Sequence, residues 1–211
     1  MNQAHCATAR QWCARCRRPG VNCYCSMIEP FESAPPFVIL IHPREAKHRL
    51  GTGRMAHRVL RNSHLLEGVD FSRNGWVNQE IENPANAPML LFPGPEAVNL
   101  TKLQPAQRRA LFGGSRTPLV FVPDGTWNTV RKMLRLSDNF RQLPKICFDP
   151  LAPSAYGFRR EPRPNYLSTI EAVHQVIELF GGDHHETAHR DERLLAPFRF
   201  MVAAQLAHSP S

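Results

Sequence analysis

Short apolar runs recur along this chain, and each gives way to a polar turn and then to apolar residues at helical spacing. Phe37-Val38-Ile39-Leu40-Ile41, entered through Pro35-Pro36, reads as a first buried strand. Met55, Val59 and Leu60 follow at helix period, and Asn62-Ser63 stops them. Residues 64–88 are rich in Asn and Pro and read as irregular, with Trp76-Val77 as a short edge strand. Met89-Leu90-Leu91-Phe92 is the next strand, ended by Pro93-Gly94-Pro95. A short helix over 104–113 opens after Gln104-Pro105 and leaves Arg108 and Arg109 exposed. Leu119 to Val122, with Pro118 in front, forms the central strand. Pro123-Asp124-Gly125 breaks it, and Trp127, Val130, Met133 and Leu134 resume helical spacing. Lys145-Ile146-Cys147-Phe148 is a further strand. Ile170, Val173, Val176, Ile177 and Phe180 share one helix face, opened by Ser168 and Glu171 at capping-box spacing and stopped by Gly181-Gly182. A last amphipathic helix covers 189–207, bent or restarted at Pro197. This alternation predicts an α/β protein: a mostly parallel sheet with helices on both faces. No internal repeat is present.

The chemistry concentrates where strands end. In open α/β sheets, ligands sit outside the carboxyl ends of the strands. Asp124 offers a carboxylate there, Gly125 a backbone that a ligand can approach, and Thr126 a hydroxyl beside a helix N-terminus. The plainer reading makes Asp124 a helix N-cap and Trp127 ordinary core. A second such turn is His42-Pro43-Arg44-Glu45, followed by the basic stretch Lys47 to Arg54. Gly51 and Gly53 in that stretch suit either a bound carboxylate or phosphate, or a plain turn. The loop 149–167 gathers Ser154, Tyr156, Arg159, Arg160, Arg163 and Tyr166. Aromatics interleaved with Arg suit stacking on bases and pairing with phosphates.

Charge and cysteines sharpen this picture. The 211 residues carry a formal charge of +8 and a pI near 9.6, with Arg clusters at 15–18, 44–61, 108–116, 131–141 and 159–163. A polyanionic partner follows, RNA or DNA first. No apolar run reaches membrane-spanning length, and the first residues are polar rather than signal-like, so a cytoplasmic protein without membrane contact is expected. Cys13, Cys16, Cys23 and Cys25 lie at C-x2-C-x6-C-x-C spacing. Four thiolates so close in an intracellular chain predict a structural Zn²⁺ site with no open position for catalysis. His5 and Cys6 are spare ligands or a plain terminus; Cys147 reads as a buried small residue; His184, His185 and His189 read as a solvated linker.

Several of these stretches, in order, resemble the DTW-domain family. The four cysteines are similar to its N-terminal zinc cysteines, His42-Pro43-Arg44-Glu45 to its His-Pro-x-Glu turn, and Thr52-Gly53-Arg54 to its Thr-Gly-Arg. Leu91-Phe92-Pro93 resembles its second ligand loop, and Asp124-Gly125-Thr126-Trp127 its naming motif, with Lys132-Met133 following. Ser154, Tyr156 and Arg159, then Leu167 to Ala172, complete the set. Asn128-Thr129-Val130 departs from the family pattern on the helix behind the motif.

The resemblance implies a zinc-binding segment over 1–34 and a catalytic domain over 35–211 of SPOUT-like fold, with a knotted C-terminal part. The implied activity is tRNA-uridine aminocarboxypropyl transfer from S-adenosylmethionine to uridine N3, with release of 5′-methylthioadenosine. The implied cofactor-binding residues are Phe92, Pro93, Gly94, Asp124, Gly125, Thr126, Trp127, Tyr156, Arg159, Thr169, Glu45 and Arg54. Arg159 or Arg54 would clamp the donor's carboxylate and Glu45 or Asp124 its amine, with Asp124 also the general base. The resemblance favours a monomer over the dimer common among SPOUT-like proteins and leaves that choice open. SPOUT-type methyl transfer to RNA, and a non-enzymatic zinc-bearing RNA-binding protein, stand as alternatives.

Overall fold

The computed structural model describes residues 11–48, 50–111, 115–155, 167–181 and 185–207. Six strands form one sheet: β1 (Phe37–Ile41), β2 (Ser63–Glu67), β3 (Asn86–Leu91), β4 (Val98–Asn99), β5 (Thr117–Asp124) and β6 (Lys145–Cys147). Their order is β2-β1-β5-β3-β6-β4, and every pairing is parallel. Parallel strands are covered on both faces, which is why β1 and β5 read as continuous apolar runs rather than as alternation. Phe37, Ile39, Val120 and Val122 enter one core with α2 (Thr52–Val59), α6 (Thr169–Gly181) and α7 (His185–Leu206). Val38, Leu40, Leu119 and Phe121 enter the other, with α3 (Gly75–Glu82) and α5 (Trp127–Leu136). Two short helices, α1 (Pro43–Ala46) and α4 (Pro105–Ala110), complete the α-helices among the described residues. Among the described residues no helix is long and apolar enough to cross a membrane.

The structure departs from the sequence reading in four places. Residues 64–88 are not irregular: they hold β2 and α3, and Trp76 lies in the helix, not in a strand. Asn74 caps α3 by accepting from Val77 N–H at 3.0 Å, and Trp76 packs on His64 of β2 with ring centroids 4.4 Å apart. β2 is an edge strand of the sheet, where the apolar pattern thins, and α3 buries only Val77 fully. Arg108 is half-buried, not exposed; it donates to Leu103 O and to Leu179 O, joining α4 to α6. Cys147 is only half-buried, because β6 has merely two-residue β4 beyond it. Helix α7 starts earlier than expected and continues through Pro197. A knot is expected in the C-terminal part, of which residues 156–166 and 182–184 lie outside the described residues.

Burial of His57 beneath the sheet margin lowers its pKa from the usual value, and nearby His64 and Arg58 add to this; the ring bonds Ser63 Oγ at 2.9 Å. His42 is lowered by burial in the same direction. Between the folded and unfolded values the unfolded chain binds the extra protons. Stability is therefore full above about pH 6.5 and falls as the pH drops through the folded values. Denaturant unfolding at pH 5 and 7.5 should show this loss, and His57→Gln should shrink it.

Candidate active site and metal centre

Asp124 ends β5 in the middle of the sheet's carboxyl edge, in register with Ile41 of β1. The next residue of the β1 chain holds it there, His42 N–H donating to Asp124 O at 2.9 Å. Strand alternation sets the direction of its side chain: Asp124 turns to the same side as Val120 and Val122, toward α2 and α6. There Oδ1 accepts from Thr169 Oγ1 at 2.6 Å. On the other side lies Gly53, where an added Cβ would stand 2.2 Å from Oδ2. Thr169 opens α6 and Gly53 lies in the first turn of α2. Two helix N-termini thus converge on one carboxylate that is only 6% exposed, and their dipoles favour its negative charge. Asp124 is no helix cap; Thr126 caps α5 by accepting from Thr129 N–H at 3.3 Å.

Gly53 is thus glycine for a steric reason. Alanine normally gains about 1 kcal/mol over glycine inside a helix. Here the overpacking against a short, bonded carboxylate outweighs it, at about 1–3 kcal/mol. Gly53→Ala should lower Tm and displace Asp124, whereas Gly75→Ala, with nothing within 4 Å of its added Cβ, should not. Thermal denaturation of the two variants side by side tests the contact.

The other predicted residues divide between those gathered at this edge and those the structure uses elsewhere. Phe92 and Trp127 come together, their rings tilted with centroids 5.8 Å apart. Phe92, Pro93 and Gly94 line a largely apolar cavity of about 500 Å³ with Leu90, Leu134 and Phe140, and Arg135, Arg141 and Lys145 line it too. A Cβ on Gly94 would meet nothing within 4 Å, so the turn opens onto free space. A Cβ on Gly125 would lie 2.6 Å from Thr129 Oγ1, so that glycine lets the chain pass close to α5. Glu45 is buried in α1, whose N-cap is His42; His42 Nδ1 accepts from Arg44 N–H at 3.2 Å. Burial lowers the His42 pKa from its usual value, and because Nδ1 accepts a hydrogen bond, the proton of the neutral ring sits on Nε2. Arg54 donates to Ala46 O and so ties α2 to α1. Tyr156 and Arg159 lie outside the described residues.

Sequence reasoning gave Glu171 only a capping role. It does accept from Ser168 N–H and Oγ at 2.8 and 2.6 Å, and it also accepts from Ser154 Oγ at 2.7 Å and Ala155 N–H at 2.8 Å. One turn on, Gln175 donates to Asp149 O at 2.8 Å. Helix α6 therefore moors the loop 149–155 as well as orienting Asp124. The four-residue spacing of Glu171 and Gln175 was visible, but it means this only once the loop is known to pass over that helix face.

The four cysteines form a second centre. Their Sγ atoms all lie within 4.8 Å of one another, and all four residues are buried. Cys13 and Cys25 are 3.7 Å apart and Cys16 and Cys23 3.6 Å, too far for disulfides. A tetrahedron with metal–sulfur bonds of about 2.3 Å has edges of roughly 3.8 Å. The set therefore fits a four-coordinate metal ion. Burial pushes the Cys25 thiol up to about 11 and that of Cys16 up as well, so metal binding must release protons and strengthens with pH. Arg58 Nη1 reaches Cys25 Sγ at 3.6 Å and offsets the thiolate charge.

The molecule is thus a parallel α/β sheet with a buried carboxylate at its central carboxyl edge and a buried four-cysteine cluster. The family model described as the DTW domain matches residues 10–206, and the chain belongs to that family. It is 28% identical over 176 residues to a Drosophila melanogaster protein named tRNA-uridine aminocarboxypropyltransferase 2, covering 81% of this chain and 66% of the relative. It is 23% identical to tRNA-uridine aminocarboxypropyltransferase A of Arabidopsis thaliana, over 93% of this chain and 81% of that protein. No solved structure matches it.

Proposed function

We propose that this protein transfers the 3-amino-3-carboxypropyl group of S-adenosylmethionine to N3 of a tRNA uridine. The observation that carries the reading is that the family match runs through residues 10–206 and includes Asp124, which stands at the sheet's carboxyl edge between two helix N-termini. S-adenosylmethionine supplies an electrophilic carbon next to its sulfonium. The chain's task is to choose which carbon faces the uridine, which is a matter of orientation. The open space beside Gly94 and the apolar cavity behind Phe92 suit an adenine. Arg54 and Glu45, with Arg159, serve the donor's carboxylate and amine. Asp124 accepts the N3 proton, the electron pair left on N3 bonds to the transferred carbon as that carbon's bond to sulfur breaks, and the sulfur keeps the pair of the broken bond and leaves as 5′-methylthioadenosine; Thr169 keeps the carboxylate aimed. Trp127 and Phe92 give the flipped uridine an aromatic wall. The cysteine centre holds a structural zinc, and the C-terminal part carries a SPOUT-like knot. Both belong to this reading, as does a cytoplasmic, tRNA-bound working state.

Incubation of the zinc-loaded protein with unmodified tRNA and S-adenosylmethionine, followed by nucleoside mass spectrometry, tests it. The expected result is a uridine heavier by one aminocarboxypropyl group, with methylthioadenosine released. A methylated nucleoside, or none, would overturn it.

A further inference from the structure

Arg18 is only 4% exposed, yet its Nε and Nη1 have no hydrogen-bond partner. A guanidinium left buried and unsatisfied is costly, so a negative charge belongs beside it. Among the described residues no carboxylate pairs with it. It shares the lining of a cavity of about 500 Å³ with Arg17, Lys47 and His48, and no carboxylate is in that lining either. The cysteine cluster is the remaining source of negative charge. Arg18 follows Cys16 by two residues, and its carbonyl accepts from Cys13 N–H at 2.8 Å. The Tyr24 hydroxyl feels the charges of Arg18, Arg58, Cys16 and Cys25 together, so the two guanidinium groups and the sulfurs share one electrostatic neighbourhood. Arg58, in the last turn of α2, already directs Nη1 at Cys25 Sγ, 3.6 Å away.

We propose that Arg18 and Arg58 are the counter-charges of the metal centre, holding a divalent ion there by neutralising the thiolates around it. The proposal rests on the zinc reading above and adds to it two residues outside the four ligands. Four thiolates and one divalent ion leave two net negative charges, and two guanidinium groups balance them. The cysteines are buried in the same cluster as α2, α6 and α7, where an unbalanced charge of either sign is costly. Metal binding displaces the thiol protons, so the charges match only when the ion is in place. Arg58 then serves one sulfur directly, and Arg18 gains the negative partner that its buried nitrogens otherwise lack.

The full-length chain, loaded with zinc or with cobalt(II) in its place, allows the test. Arg18→Met and Arg58→Met keep an unbranched apolar stem and remove the charge, whereas Arg58→Lys keeps the charge. Each methionine variant should weaken zinc binding about 10- to 100-fold in competition with a chelator. Arg58→Lys should recover most of that loss. A disturbed fold would also weaken binding, so the cobalt spectrum is the second readout. Removing a cation beside a thiolate raises the energy of the sulfur electrons, and the sulfur-to-cobalt charge-transfer band should move to lower energy in both methionine variants. An arginine with a purely structural role leaves that band in place. Wild-type zinc affinity in both methionine variants, or weaker binding with an unmoved band, would overturn the counter-charge role while the zinc reading stands. A wild-type chain that takes up neither metal sinks both readings together.

Discussion

On the proposed transferase reading, Asp124→Asn should lower aminocarboxypropyl transfer by about 10²- to 10⁴-fold, the usual contribution of a positioned general base. The change is nearly isosteric, and the amide oxygen still accepts from Thr169 Oγ1, now 2.6 Å from the carboxylate. The fold therefore survives: exchanging a charged acceptor for a neutral one costs about 1–2 kcal/mol, or a few degrees of Tm in a chain of this size. Binding of S-adenosylmethionine, followed by calorimetry, separates two roles for the carboxylate. Lost turnover with retained binding marks the base; lost binding marks a clamp on the donor's amine. Retained turnover removes both roles. Thr169→Val should reproduce part of the loss, because the carboxylate would keep its place against Gly53 but lose its orienting hydroxyl.

Cys16→Ser, or exhaustive chelation, has the largest expected effect on stability. Structural zinc sites contribute an apparent 10–16 kcal/mol near neutral pH. The knuckle is no independent bead. Cys13, Cys16, Cys23, Tyr24 and Phe31 belong to the same buried cluster as α2, α6 and α7, and Phe31 bonds the backbone at Val59 and Arg61. Losing the metal should therefore drop Tm by about 10 °C or more. Elemental analysis should give one zinc per wild-type chain and none for the variant. A metal-free wild-type protein with unchanged Tm would sink the structural role.

The departure of Asn128-Thr129-Val130 from the family pattern turns out to be absorbed locally. Val130 is buried against the chain at Gly125, while Thr129 Oγ1 donates to Thr126 O at 2.9 Å and reinforces the cap of α5. The motif turn is thus shaped by residues outside the motif.

How much of the molecule could be read in advance depended on how local the physics was. The runs at 37–41 and 119–122 announced buried strands because a parallel sheet covered on both faces demands continuous apolar side chains. The apolar run and the helical spacing after it announced the strand and helix at 117–136, and four closely spaced thiols announced a cluster that could hold a metal ion. β2 and α3 were missed because their burial is partial and their apolar signal weak. The partners of Asp124 were not legible at all. Thr169 is 45 residues away and Gly53 comes from a helix far earlier in the chain. Only the insertion of β5 between β1 and β3, with α2 and α6 packed on one face, brings them to one carboxylate. The same holds for Arg18, whose burial beside Lys47 and Trp12 no local pattern predicts. Sequence determined the elements and the reactive groups, because hydrogen bonding and burial within a strand, a turn or a knuckle are short-range. Tertiary structure alone decided which groups share a site, because strand order and the packing of distant helices are set by the whole core.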